Sequence, residues 1–275
     1  MIELPESICL AGQLNETVKG KTIKRVQANA SPHKFAWFFG EPDGYNALLA
    51  GKVIGKTKGI GGKVEISAED KRILLAEGIN ICFYAAGEKL PKKHQLLITF
   101  MDSSALVCSV QMYGGLWAFT KGTYCDEYYE VAKRKPSPLS DLFDLPYFLE
   151  MAEEYADKSA KAFLATEQRI PGLGNGVLQD ILFNARIHPK TKINRLTEQE
   201  TEELFGSVKT TLQQMTDQGG RDTQTDLFGN PGGYQTLMSK NTVGKPCPVC
   251  GGIIVKMAYL GGSVYFCPAC QKERK

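Results

Sequence analysis

Four cysteines near the C-terminus stand as Cys247-Pro-Val-Cys250 and Cys267-Pro-Ala-Cys270, a C-x2-C-x16-C-x2-C array. Each knuckle turns two sulfurs toward one point, and two knuckles complete the thiolate tetrahedron that holds Zn²⁺. The expected cofactor is one structural zinc ion on Cys247, Cys250, Cys267 and Cys270. A four-thiolate shell leaves no open position for water, so this zinc builds a scaffold and performs no hydrolysis. Gly251-Gly252 and Gly261-Gly262 fit the turns of a small β-hairpin finger around it.

A second stretch with chemical potential is Ile170-Pro-Gly-Leu-Gly-Asn-Gly176, between two segments of helical periodicity. Gly172 and Gly174 permit a tight turn, after which the first N–H groups of the next helix offer a positive dipole end to a phosphate. Asn175 adds an amide donor. An ordinary turn between two helices has the same composition, and this stretch alone does not decide between the two. Charge is equally two-sided. The net charge is only +3, but Lys158–Arg195 holds seven Lys/Arg against Glu167 and Asp180, and Lys240 to the end holds six against Glu273. Such segments form either a phosphate-binding face or a pair of solvated surfaces.

These residues need a frame. At 275 residues, 43% hydrophobic and 23% charged, the chain suffices for one large or two modest domains with real cores. No apolar run approaches the ~20 residues of a membrane span. Met1–Leu10 carries Glu3 and Glu6 and no basic leader, so a cytoplasmic monomer without membrane partners is expected. Cys9, Cys82, Cys108 and Cys125 are isolated in apolar or strand-like surroundings and read as reduced core residues. A helix is predicted over Pro5–Val18, ended by Lys19-Gly20. Short apolar runs at Ile73–Leu75, Ile79–Tyr84, Leu96–Met101 and Ala105–Val110, separated by Gly, Asp and Ser turns, predict a β-sandwich. Lys133-Arg-Lys-Pro-Ser-Pro138 is a linker by composition. Beyond it, helical periodicity covers Leu145–Tyr155, Ser159–Leu164, Gly176–Ala185 and Thr197–Met215. The expected architecture is α+β and multidomain: a β-sandwich with a leading helix over 1–132, a linker over 133–139, a helical domain over 140–240 and the zinc finger over 241–275. Gly219–Tyr234 is a long, polar, Gly-rich stretch of the kind that is functional or disordered.

The longer string Pro171-Gly-Leu-Gly-Asn-Gly-Val-Leu-Gln-Asp-Ile-Leu-Phe-Asn-Ala-Arg-Ile-His-Pro189 resembles the helix-two-turn-helix signature of the formamidopyrimidine-DNA glycosylase / endonuclease VIII family. Other segments resemble the family in order: Glu3-Leu4-Pro5-Glu6, Gly20-Lys21-Thr22-Ile23, Gly62-Lys63 in an early strand pair, the Gly-rich stretch as a lesion-covering loop, and the finger ending Cys270-Gln271. The resemblance spans the whole chain. It implies a helix-two-turn-helix domain, damaged or abasic DNA as partner, and base excision.

Family enzymes use the amine of an N-terminal proline to attack C1′ of the damaged nucleotide, expel the base and form a Schiff base. An α-amine titrates near ~8, low enough to be a nucleophile around neutral pH. By position, Ile2 stands where that proline would be, Glu3 is the acid/base and Lys63 the phosphate ligand. Gly174 and Asn175 become DNA contacts. Three departures matter. Ile2 is not proline, so the nucleophile depends on which residue carries the free amine. Gly262 stands where family fingers carry a phosphate-clamping arginine, and Lys256 or Lys245 is the cationic substitute, without the bidentate fork of arginine. Gln111-Met112-Tyr113 matches the loop that fills the hole left by an extruded nucleotide, with Gly114-Gly115 suggesting an exposed turn; core burial of Met112 and Tyr113 is the alternative. The expected function is a DNA glycosylase with AP-lyase activity left open. A family member that binds abasic or damaged DNA without cleaving it is the second reading, and binding of structured RNA or single strands the third.

Overall fold

The computed structural model describes residues 1–274 and divides into two compact units. One holds Met1–Glu130 together with Gly219–Gly233; the other holds Val131–Gln218 and the chain from Tyr234 onward. The Gly-rich stretch thus belongs with the first unit, although its sequence position groups it with the helical segment 140–240.

In the first unit, α1 (Leu4–Thr17) begins where Glu6 accepts the Glu3 N–H at 3.1 Å and Pro5 occupies the first turn. Leu10, Ala11 and Leu14 recur at helical spacing and are buried. The strands are β1 (Ile23–Ala28), β2 (Ala36–Trp37), β3 (Ile54–Ile60), β4 (Lys63–Ala68), β5 (Lys71–Tyr84), β6 (Leu96–Phe100) and β7 (Ala105–Thr120), with a short α2 (Tyr45–Leu49) between β2 and β3. They pair in the order β1-β6-β7-β5-β4-β3, and β2 lies parallel to β7. Long β5 and β7 tie the two halves together, and one core joins Ile23, Ile98, Phe100 and Cys108 from one half with Ile54, Ile66, Ile73 and Leu75 from the other.

Two expected strand ends turn out to be strand interiors. Ile73–Leu75 and Ile79–Tyr84 are one strand, and Ala105–Val110 continues through Gly114-Gly115 to Thr120. Gly78 and Gly114-Gly115 are therefore not turns. Glu77 pairs with Gly114 and Ile79 with Val110, so Gln111-Met112-Tyr113 bulge outward opposite Gly78 alone. A Cβ on Gly78 would lie 2.6 Å from the Tyr113 carbonyl oxygen, so only glycine lets the bulge close against β5. The isolated cysteines also divide: Cys108 is buried, Cys9 and Cys82 are half-buried, and Cys125 is exposed rather than core.

The chain passes to the second unit within α3 (Glu127–Arg134), which takes up Lys133 and Arg134 from the expected linker. Helices α4 (Leu145–Glu154), α5 (Ala160–Ala165), α6 (Val177–Asn184) and α7 (Glu198–Asp217) follow. Asp144 caps α4 by accepting the Tyr147 N–H, Ser159 caps α5, and Thr197 with Glu200 forms a capping box on α7. Phe143, Phe148, Phe163 and Phe205 interlock edge-to-face and stacked at their centre. The finger hairpin is β8 (Val255–Tyr259) and β9 (Gly262–Phe266), joined through Leu260-Gly261, both at positive φ. Among the described residues no helix is long and apolar enough to cross a membrane.

Candidate nucleic-acid interface and N-terminal site

The four finger sulfurs lie within 4.8 Å of one another. Cys247 and Cys270 are 3.8 Å apart, and Cys250 and Cys267 3.4 Å. A zinc tetrahedron with ~2.3 Å bonds needs sulfur separations of about 3.8 Å, so the donor set fits the ion. Cys247 and Cys267 pack with Phe183, Met238 and Ile254. Gln271 accepts the Cys267 N–H at 3.0 Å and donates to the Ile187 carbonyl at 2.9 Å, tying the second knuckle to the turn after α6.

The Gly-rich turn before α6 meets the finger. Asn175 Nδ2 donates to the Ser263 carbonyl at 2.9 Å, Gln179 Nε2 to the same oxygen at 3.1 Å, and Gln179 Oε1 accepts the Tyr265 N–H at 3.0 Å. One of the two amide hydrogens of Asn175 is thereby spent on β9. Gly174 and Asn175 are half-buried, and Lys256 is exposed on β8. Gly262 faces Asn175 and Lys161: a Cβ there would lie 3.3 Å from both Asn175 Oδ1 and Lys161 Nζ. Lys161 is buried on α5, donates to the Tyr259 carbonyl, and burial lowers its pKa.

The N-terminal end of α1 forms a second site, within the first unit. The Ile2 N–H donates to the Glu77 carbonyl at 2.8 Å, and the Ile2 side chain sits in the core. The amine belongs to Met1 and donates to Gln224 Oε1. Glu3 and Glu6 are both buried, and so is Arg221. Arg221 forms a two-pronged pair with Glu6, Nε to Oε1 at 2.8 Å and Nη2 to Oε2 at 2.7 Å, and approaches Glu3 at 3.3 Å. Burial alone would raise the Glu6 pKa, but the charge and hydrogen bonds of Arg221 outweigh it and hold the carboxyl below its usual range. Burial and the Arg221 charge lower the pKa of the Met1 amine. Beside it lies a cavity of about 70 Å³ lined by Met1, Ile2, Gln111, Asn80, Gln224 and Thr225, among others.

The stretch carrying Arg221 and Gln224 is a pinned loop. Leu227 is fully buried in the core, its N–H donates to Gln13 Oε1 at 2.9 Å, and its carbonyl accepts the Phe83 N–H at 2.9 Å. Asp226 accepts from Gln13 at 3.1 Å and from the Phe228 and Asn230 N–H groups at 2.9 and 2.8 Å.

Lys63 opens β4 and is buried, with its Nζ 5.7 Å from the Trp117 ring centroid. Among the described residues no carboxylate forms a salt bridge with it. Gln111 and Met112 project from the bulge, Met112 with 70% exposure, and Tyr113 is half-buried against Trp37. Met112 is therefore not core. Ile2, Glu3 and Gln111 gather near the amine; Lys63, Met112 and Tyr113 belong to the same unit; Gly174, Asn175, Lys256 and the cysteines belong to the other. Sequence reasoning missed Arg221, Gln224 and the pairing role of Glu6. The only signal was an arginine directly after Gly219-Gly220 in an otherwise polar loop.

Family models match the helical segment and the finger, and full-length relatives match the whole chain. The family model described as the formamidopyrimidine-DNA glycosylase H2TH domain matches residues 135–226, and that of the zinc finger found in FPG and IleRS matches 244–272. The formamidopyrimidine-DNA glycosylase of Bacillus licheniformis is 30% identical, covering 99% of this chain and 100% of the relative. That of Bacillus subtilis is 28% identical over the full length of both. Among solved structures, Lactococcus lactis Fpg in complex with abasic-site DNA superposes with a TM-score of 0.85 at 23% identity, covering 98% of this chain and 100% of that one. The MutM (Fpg) protein of Thermus thermophilus gives 0.80 at 25%, covering 99% and 100%.

Proposed function

This chain belongs to the formamidopyrimidine-DNA glycosylase / endonuclease VIII family, and on that premise we propose that it is a DNA-repair glycosylase acting on damaged DNA through a terminal amine. The observation that carries this reading is the amine of Met1 at the rim of a cavity, next to the buried Glu3–Arg221–Glu6 cluster. A desolvated amine beside a guanidinium loses its proton more readily, which leaves a lone pair for attack. In this reading the amine nitrogen attacks C1′ of the damaged nucleotide, and the C1′–base bond breaks as the base leaves with its electron pair and a proton. Loss of a proton from that nitrogen leaves a ring-closed aminal, and the C1′–O4′ bond then breaks as O4′ takes up a proton and the nitrogen lone pair forms the C1′=N bond of a Schiff base. Glu3 carries the proton between these groups. Lys63 and Asn175 hold phosphates, and Gln111, Met112 and Tyr113 fill the space of the extruded nucleotide. The zinc supplies the fold of the finger and no step of the reaction. Subsequent strand nicking is the AP-lyase extension of the same adduct.

A specific observation favours a second reading, binding of abasic DNA without cleavage: Ile2 stands where the family carries its proline, its side chain is packed in the core and its nitrogen donates to the Glu77 carbonyl. Incision of duplex oligonucleotides carrying single oxidised bases separates the two. Release of a base that is lost on Glu3→Gln supports the enzyme; tight abasic-site binding with no release from any substrate supports the binder.

A further inference from the structure

The first unit carries a row of exposed aromatics that the chemistry above leaves unused. Along Phe35-Ala-Trp37-Phe-Phe39 the odd positions face solvent, at 46%, 44% and 40% exposure, while Ala36 and Phe38 pack on the core. A strand with one solvated face carries polar residues there; this one carries rings on both faces. The arrangement is fixed by the backbone: Ala36 and Trp37 pair parallel to Gly114 and Gly115, and the Gly114 N–H donates to the Phe35 carbonyl at 2.9 Å. Trp37 meets Tyr113 with ring centroids 5.7 Å apart. A Cβ on Gly115 would lie 2.0 Å from the Trp117 ring, so that ring lies directly over the glycine. Cations sit on the rings: Lys34 Nζ is 5.3 Å from the Phe35 centroid, and Lys63 Nζ 5.7 Å from that of Trp117. Met112 projects from the same bulge as Tyr113.

We propose that Phe35 and Trp37, packed against Tyr113 and with Lys34 beside them, form a stacking platform for the unpaired bases of single-stranded DNA. Flat rings accept any base by its face, and an ammonium group beside them neutralises phosphate between successive bases. The patch is made of aromatics with a lysine beside them rather than of branched aliphatics, which fits a π-faced polyanion. A base-paired duplex offers no open base faces to such a surface. The inference rests on DNA being the ligand of the proposed function and adds which form of it this face takes.

The test uses the full-length zinc-loaded protein, a 15-nucleotide oligo(dT) and a closed hairpin duplex. Trp37 and Trp117 are the only tryptophans, so stacking on Trp37 reports as fluorescence quenching. Oligo(dT) should quench wild type. Phe35→Ala/Trp37→Ala should bind oligo(dT) about ten-fold or more weakly, with hairpin affinity changed by less than about two-fold and an unchanged Tm. Trp37→Phe should keep most of the affinity and lose the quench. Equal loss on both DNAs, or oligo(dT) affinity unaffected in the double variant, overturns the proposal. So does a change in self-association, by sedimentation, with oligo(dT) affinity intact, since the strip would then be a face between copies. Incision of lesion duplex is followed in parallel. Its absence from wild type removes the proposed function and leaves the platform standing; its presence with unchanged oligo(dT) binding does the reverse.

Discussion

Replacing Arg221 with methionine, which keeps much of the volume and removes the charge, should destabilise the first unit strongly and in a pH-dependent way. Arg221, Glu3 and Glu6 are each no more than 4% exposed. Breaking a buried ion pair by deleting one partner typically costs ~3–5 kcal/mol, because the remaining charge is stranded. The stranded carboxyl has an escape, since it can take up a proton. For a glutamate of ordinary pKa ~4.3, protonation at pH 7 costs about 4 kcal/mol, and at pH 5 about 1 kcal/mol. Protonation therefore sets a ceiling that falls by ~1.4 kcal/mol per pH unit. In wild type the Glu6 pKa is depressed, so its stabilisation is fully present above the usual carboxylate range and is lost as pH falls through the depressed value. In Arg221→Met burial, the largest influence on Glu6, is opposed only by hydrogen bonds from the backbone N–H groups of Glu3 and position 221 and raises the folded pKa, so stability is lost as pH rises above the ordinary value. The gap between the two proteins should widen from about 1 kcal/mol at pH 5 to about 4 kcal/mol at pH 7. Urea unfolding at both pH values measures it, with hydrogen exchange at Gly219–Gly233 to detect release of the loop before global unfolding. A gap below about 1 kcal/mol that is the same at both pH values, with loop amides still protected, would refute the reasoning.

Three further outcomes follow from the same geometry. Cys250→Ser should release zinc and unfold the hairpin, since the finger around Cys247 and Cys267 has only a small core; metal analysis of reduced wild type showing no zinc would contradict this. Asn175→Ala should weaken binding to every duplex by ~1–3 kcal/mol without altering preference among lesions. Because the side chain also holds β9 through Ser263, Tm is measured alongside, and a changed lesion preference would exclude the phosphate role. Met112→Ala/Tyr113→Ala should reduce discrimination for an abasic site over intact duplex; equal loss on both DNAs with a large drop in Tm would mark the pair as structural.

What was legible from sequence followed how local each signal is. The zinc ligands are set by spacing alone. Helices α1, α4, α5, α6 and α7 lie where periodicity and caps put them, because Thr197 and Glu200 or Asp144 and Pro146 act within one turn. The strands were less legible. Gly78, Gly114 and Gly115 carry the composition of turns, but they are crowded by Tyr113, Ile79 and Trp117 respectively, and the first two of these approaches come from pairing across β5 and β7. The Arg221–Glu6 pair joins residues 215 positions apart, so no local pattern announces it; Glu6 alone reads as a first-turn acid favourable to the helix dipole. Cys125 reads as core from its isolated, strand-like surroundings, yet Tyr124 turns inward onto Phe119 and leaves the cysteine outside.

The central claim is that a terminal amine beside Glu3 and Arg221 forms a covalent adduct with the sugar, and borohydride trapping on abasic-site DNA tests it most directly. Protein whose first residue is verified by mass is compared with an N-terminally blocked form and with Lys63→Ala. A trapped complex is expected with unblocked protein, formed less efficiently than with a proline-headed relative because a primary amine gives a neutral imine where proline gives a charged iminium. That complex should be lost on blocking and should survive in Lys63→Ala. Trapping abolished only in Lys63→Ala would move the nucleophile to the lysine, and no trapping in any form with tight abasic-site binding retained would contradict the claim outright.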